Sequence, residues 1–237
     1  MEEYTFNIYV PSYKRSDQIL TANLLEYCTY VVRKSEEQEY RDAGIENILA
    51  VDDELINSGF KVYEWIIKNT PEDIICTIDD DVKDIVYRLD TNVNLEKDKE
   101  LITSEFERIA QLIVDLNIGM GCIDSTPVPY NYTAEFDFKG VSGGIRWINK
   151  KVFKAKMDYN VRHNFDLDLI MQELLVNRII LKPKYLTSIC GIDTNKGGGS
   201  GKKRKDQLDS ITNMKLKWGK YFEFDHKKNV PKIMVKR

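Results

Sequence analysis

Three consecutive carboxylates, Asp79-Asp80-Asp81, follow the apolar run Ile75-Cys76-Thr77-Ile78. Adjacent acids repel one another, and gathering them at the end of a buried strand is costly unless a cation neutralises them. Oxygen ligands of this kind suit Mg²⁺ or Mn²⁺, and the cation then bridges to a diphosphate. The competing account is a solvated acidic turn or the cap of a following helix; the apolar residues ahead of the acids favour the metal. A second constellation is Gly197-Gly198-Gly199-Ser200-Gly201 followed by Lys202-Lys203-Arg204-Lys205. As a linker it is merely pliant. As a lid, its amides and cations, Lys202 among them, would close over a diphosphate or follow a nucleic-acid backbone.

These residues need a scaffold, and the apolar pattern supplies one. Phe6-Asn7-Ile8-Tyr9-Val10 reads as a strand stopped by Pro11, with a helical pattern at Ile19, Leu20 and Leu24 behind it. The alternation recurs: Tyr30-Val31-Val32 before a helix over Ser35 to Ala43, Ile48-Leu49-Ala50-Val51 before Phe60 to Lys68, then Ile74 to Ile78. Strands interleaved with helices predict βαβ units and a largely parallel sheet, with the acids at the carboxyl end of a central strand, where such sheets place ligands. Beyond a looser polar stretch from Thr91 to Lys99, Ile102, Phe106, Ile109, Ile113 and Leu116 predict an amphipathic helix. Strands around Gly121 to Ile123 and Phe136 to Val141, a Gly143-Gly144 turn and a last helix on Leu167, Met171 and Leu174 complete the expectation.

Composition bounds the class. The 237 residues are 42% hydrophobic and 11% aromatic, which excludes disordered and fibrous chains, and the formal charge is only −3. That charge is sorted: Lys196 to Arg237 holds thirteen basic and four acidic residues, +9, leaving −12 on the rest. A basic tail suits phosphate-bearing partners, although a solvated polar terminus has the same composition. No run approaches a membrane span and Met1-Glu2-Glu3 does not open like a signal peptide, so a cytoplasmic protein without membrane contact is expected. The scattered Cys28, Cys76, Cys122 and Cys190 read as reduced, structural thiols.

Val10-Pro11-Ser12-Tyr13-Lys14-Arg15 after the first strand and Ile78-Asp79-Asp80-Asp81-Val82 after the fourth resemble the nucleotide-sugar half of a GT-A glycosyltransferase. More narrowly, the combination is similar to the phage TET-associated glycosyltransferases that sugar-modify hydroxymethylated pyrimidines in DNA. The resemblance implies an α/β fold, a single GT-A-like domain with a Rossmann-like, mainly parallel central sheet flanked by helices. That domain spans residues 1–195, its nucleotide-sugar half about 1–90 and its acceptor half about 100–195. Residues 196–237 follow as a Gly-rich loop and basic C-terminal extension packing on the same domain.

The same resemblance implies roles. Pro11, Ser12, Tyr13 and Arg15 lie against the base and ribose of the nucleotide, although turn formation and surface charge explain them too. Asp79 goes to the ribose side and the metal, Asp81 to the metal, and Asp80 stands second to them. Gly143 and Gly144 match a loop near the donor sugar, where a plain hairpin would use the same glycines. Asp166 is put forward as the base for the acceptor hydroxyl, with Asp168 beside it; Phe165 departs from the family, which carries an acid there. Either Asp is also an N-cap candidate, worth about 1 kcal/mol without catalysis. His226 is the candidate late metal ligand, against the bland reading of a solvated tail histidine. Pro127, Pro129, Tyr130 and Tyr132 fall where an acceptor loop is expected, with strand-edge packing as their other explanation.

The expected activity is transfer of a hexose, glucose foremost, from a UDP-sugar to the hydroxymethyl group of a modified pyrimidine in DNA, with Mn²⁺ or Mg²⁺. Two alternatives stay open: a glycan, protein or small-molecule acceptor, and a non-catalytic nucleotide or nucleic-acid binding module.

Overall fold

Every residue of Ile74–Ile78 is buried, the mark of a strand covered on both faces. A computed structural model describes residues 3–88, 92–94, 97–126, 128, 132–191 and 204–235. In chain order β1 (Phe6–Pro11), β2 (Thr29–Arg33), α1 (Glu37–Asp42), β3 (Ile48–Val51), α2 (Gly59–Asn69) and β4 (Ile74–Ile78) come first. Next are β5 (Val82–Arg88), β6 (Asn92–Asn94), α3 (Lys99–Asp115), β7 (Met120–Ile123), β8 (Phe136–Asp137), β9 (Ile145–Asn149) and α4 (Phe165–Val176). The short β10 (Lys182–Pro183), then β11 (Leu186–Cys190), α5 (Arg204–Trp218), β12 (Phe222–Asp225) and β13 (Val230–Ile233) follow.

The main sheet has six strands in the order β3-β2-β1-β4-β9-β7. Neighbours from β3 to β4 are parallel, and β9 alone runs against the others. Period-two alternation divides its side chains between two layers. Ile8, Val10, Ile74, Cys76 and Ile78 meet Ile102, Phe106, Ile109 and Ile113 of α3 on one face. Tyr9, Val31, Val51 and Ile75 meet Val62, Tyr63 and Ile66 of α2 on the other, and α4 covers Met120 and Cys122 beside them. Trp147 on β9 shows how tightly α3 is seated: it is wholly buried, packs edge-on to Phe106 at 5.1 Å and donates its indole N–H to the Phe106 carbonyl at 3.1 Å. Burial of a ring of this size contributes about 2–3 kcal/mol.

The α/β, mainly parallel architecture expected from the alternation is the one found. Ser58 caps α2 by accepting from the Lys61 N–H at 3.3 Å, and Asp98 caps α3 by accepting from Glu100 and Leu101. Several local expectations are corrected. Ile19 to Leu24 form no helix but a single 3-10 turn at Thr21–Asn23, because the Thr21 hydroxyl bonds away to the carbonyls of Asp79 and Val82. Val82–Arg88, to which the sequence pattern assigns no element, is β5, which pairs with β11 and β6 in a second sheet. The strand sought over Phe136 to Val141 reduces to Phe136–Asp137. The helix on Leu167 is not the last, since α5 packs Ile211 and Met214 against Val161, Leu167 and Met171. Gly197 to Lys203 and Pro127, Pro129 and Tyr130 lie outside the described residues. Among the described residues no helix is long and apolar enough to cross a membrane.

Candidate active site

Strand order reverses at β1, which has β2 on one side and β4 on the other. In an open α/β sheet the crevice outside the carboxyl ends at such a switch point is where ligands bind. Two segments meet there: the loop after β1 and the acidic turn that carries the chain from β4 into the second sheet. Backbone bonds pin the turn on all sides. Val82 N–H donates to the Asp79 carbonyl at 3.2 Å, Asp79 N–H to the Gly144 carbonyl at 2.8 Å, and Gly191 N–H to the Asp81 carbonyl at 2.7 Å.

The three carboxylates have three different fates. Asp80 is buried and occupied by protein donors: Ser12 Oγ donates to it at 2.5 Å and the Arg15 guanidinium pairs with it. Tyr40 completes this brace, its hydroxyl lying 2.7 Å from Ser12 Oγ and accepting the Arg15 N–H at 3.1 Å. Asp79 Oδ1 accepts from the Tyr63 hydroxyl and lies 3.6 Å from Arg146 Nη1. Among the described residues the cationic partner of Asp81 is Arg15, at 3.6 Å. Burial first, then the charges of Asp79 and Asp80, push its carboxyl up to about 6. Asp81 and the second oxygen of Asp79 are therefore the oxygens whose chemistry fits a divalent cation, in the pattern of one or two carboxylates plus ligand phosphates.

Ser12 and Arg15, expected against the nucleotide, both direct their side chains to Asp80. Pro11 ends β1, paired with Val31. Tyr13 is half-buried with the Arg33 guanidinium over its ring at 4.1 Å, so one face is already stacked. Gly143 is explained by packing: a Cβ there would lie 2.8 Å from the backbone of Asp124 and Ser125, and its N–H already donates to the Ile123 carbonyl at 2.6 Å. Gly144 abuts the acids instead, since a Cβ on it would meet Asp79 Oδ2 at 3.0 Å.

On α4 the two acids separate. Asn164 holds the N-cap position without a side-chain cap bond, so neither Asp166 nor Asp168 is the N-cap. Asp166, half-buried in the first turn, is near enough for its charge to favour the Arg146 guanidinium. Asp168 turns the other way and is 1% exposed. It accepts from Gln172 at 2.7 Å, from Lys217 at 2.9 Å and from the Trp218 indole at 2.8 Å, which fastens α5 to α4. Both oxygens of Asp168, expected beside the acceptor, are thus bonded within the protein.

His226 follows β12, exposed, with its ring 5.0 Å from Phe224. Among the described residues no group of three or more His, Cys, Asp or Glu side chains converges on a metal position, so the expected set of Asp79, Asp81 and His226 is not assembled. Lys202 lies outside the described residues. The thiols of Cys28, Cys122 and Cys190 are pushed up to about 11 by burial, in keeping with structural cysteines. Sequence reasoning missed Tyr40, Tyr63 and Arg146. Only Arg146 left a trace, as a lone charge inside the apolar run Ile145-Arg146-Trp147-Ile148.

No protein-family model matches the chain, and no curated protein matches it in sequence. Solved structures give weak likenesses. TarS 1–349 from S. aureus shares 13% identity at a TM-score of 0.43, over 78% of this chain and 60% of its own. Glucosyl-3-phosphoglycerate synthase from Mycobacterium tuberculosis, in complex with Mn²⁺, uridine diphosphate and glucosyl-3-phosphoglycerate, shares 10% at 0.47, over 99% and 90%. CMP:2-keto-3-deoxy-manno-octonic acid synthetase with CTP shares 9% at 0.41, over 89% and 99%. The chain thus spans less than two thirds of the TarS chain. Likenesses at TM-scores below 0.5 transfer no substrate and no residue role to it.

Proposed function

We propose that the chain is a metal-dependent glycosyltransferase of GT-A type that moves a hexose, glucose in our reading, from a UDP-sugar to the hydroxymethyl group of a modified pyrimidine in phage DNA, such as hydroxymethylcytosine. One observation carries the donor half. At the switch point Asp80 is fully engaged by Ser12 and Arg15, whereas Asp81 is left partly desolvated and poorly compensated. The fold has no use for such a carboxylate, and Mn²⁺ or Mg²⁺ with a diphosphate does.

When bound, the cation stabilises the negative charge that grows on the departing diphosphate. The protein's own groups do the rest. Tyr63 and Arg146 hold Asp79 with one oxygen facing the ribose side. Pro11 and Tyr13 line the base. Asp166 accepts the proton of the acceptor hydroxyl as that oxygen bonds to the anomeric carbon and the bond from that carbon to the diphosphate oxygen breaks, with inversion as the outcome of a single displacement. Support for the acceptor is the sorted charge, +9 from Lys196 onward, with Lys215, Lys220, Lys227 and Lys228 exposed on α5 and around the β12–β13 hairpin. A base inside a duplex must be extruded to meet such a site.

The test is nucleotide release from a panel of nucleotide sugars with Mn²⁺, run with duplexes containing hydroxymethylcytosine, hydroxymethyluracil or ordinary bases only. Release with one modified duplex, and the matching mass gain on that DNA, is the expected result. Release indifferent to every duplex removes DNA and keeps the transferase; silence from folded protein leaves the binding module.

A further inference from the structure

Arg146 sits in the middle of a strand whose five residues are all buried, opposite Thr77 on β4 and Cys122 on β7. It is itself 7% exposed. A guanidinium is expensive to bury, and a buried one normally forks onto a carboxylate with most of its N–H groups engaged. Here, among the described residues, Nε and Nη1 have no hydrogen-bond partner, and the guanidinium's side-chain bond is to Tyr63. Asp79 Oδ1 stands 3.6 Å from Nη1, the rings of Tyr63 and Phe165 lie 5.2 and 5.9 Å from the guanidinium carbon, and the negative groups it faces are Asp79 and Asp166. Packing would be served as well by an apolar side chain. What only a cation supplies at this point is attraction in two directions, toward the acidic turn and toward the first turn of α4.

Resting on the glycosyltransferase reading, we propose that Arg146 is a positioning residue. Its charge lies 3.6 Å from the carboxylate that orients the nucleotide and is attracted at longer range by the carboxylate that receives the acceptor proton, one residue beyond Phe165. Without it, Asp79 loses its cationic neighbour and keeps the Tyr63 hydroxyl. Arg146 touches no reacting atom. It acts through Asp79 at the donor end and, at longer range, on Asp166 at the acceptor end, so its removal should damage both binding and turnover.

The experiment compares Arg146→Met, Arg146→Lys and Tyr63→Phe in the full chain, each checked for a cooperative thermal transition. UDP binding with Mn²⁺ is measured by calorimetry, and kcat and KM for donor turnover are measured below the transition. Arg146→Met is expected to weaken UDP binding about tenfold and lower kcat at least tenfold. Arg146→Lys should restore most of both. Tyr63→Phe should weaken UDP binding as well, because its hydroxyl meets both Asp79 and the Arg146 guanidinium. Lower melting temperatures for both Arg146 variants with unchanged Kd and kcat in the folded protein would overturn the positioning role alone. A wild-type chain that binds no UDP and turns over no nucleotide sugar would overturn the function on which that role rests. Should Arg146→Met fail to fold, Arg146→Lys and Tyr63→Phe still decide: wild-type Kd in both removes the socket around Asp79.

Discussion

Asp81 is the residue at which stability and function pull apart. Its carboxyl is pushed up to about 6 by burial and by Asp79 and Asp80, whereas in the unfolded chain it titrates near 4. The raised value means that the folded protein bears no penalty below about pH 4, and loses up to about 3 kcal/mol as pH rises through 6 and the group ionises. Asp81→Asn should therefore raise the melting temperature of cation-free protein at pH 7.5 by several degrees, leave it unchanged at pH 4, and abolish donor turnover. An unaltered melting temperature at pH 7.5 would remove the electrostatic stress and with it the case for a cation. The acids of α4 give the opposite signature. Asp168→Asn breaks the pair between the buried Asp168 and the exposed Lys217 and should cost about 1–3 kcal/mol while the folded fraction still turns over donor and acceptor. Asp166→Asn should leave the transition in place and lower kcat about a hundredfold or more. Reversal of that pattern in paired melting and kinetic measurements would exchange the two roles.

At the scale of elements, the loop between β8 and β9 ties the acceptor side to the acids, and its two glycines are not equivalent. Gly143→Ala drives a Cβ into the backbone of Asp124 and Ser125, which cannot yield, and should cost about 1–3 kcal/mol. Gly144→Ala instead meets the Asp79 side chain at 3.0–3.3 Å. That side chain can turn aside, so the expected loss is in UDP affinity rather than melting temperature. Equal effects of the two changes on stability, read by thermal denaturation, would count against this distinction. The strands β1 to β4 and the helices α2 and α3 were legible in the sequence because they bury regular stripes, and so was the acidic turn that ends Ile75-Cys76-Thr77-Ile78. Harder to see were elements defined by partners distant in sequence. β9 is a fully buried run interrupted by Arg146, and only its place between β4 and β7 explains the charge. α5 is a polar segment held by Ile211, Met214 and the Asp168 latch, too few apolar residues to show a helical stripe. Likewise Ser12 and Arg15 were recognised as site residues, but that both turn inward to Asp80 depends on strand order, which brings residues 12 and 80 together across the switch point.

For the whole molecule the decisive quantity is where charge resides. A body carrying −12 repels DNA at close approach and gives no attraction from afar, since the Debye length at physiological salt is about 8 Å. Binding must therefore come from local cations presented together, and α5 with the β12–β13 hairpin presents Lys215, Lys220, Lys227 and Lys228 to solvent on one continuous stretch of chain. Each phosphate neutralised releases counterions, so log K should fall with log salt by about 0.9 per contact. Lys220→Glu, Lys227→Glu and Lys228→Glu combined should weaken binding to modified and ordinary duplexes alike and flatten the salt slope by two to three units, if about three contacts are lost. Donor hydrolysis without DNA should not change, since none of the three contributes to the acidic turn. Fluorescence anisotropy across a salt series, with hydrolysis assayed in parallel, separates the outcomes. An unchanged slope places DNA elsewhere or nowhere, while a slope that flattens together with lost hydrolysis would mean that this basic surface serves the donor diphosphate instead.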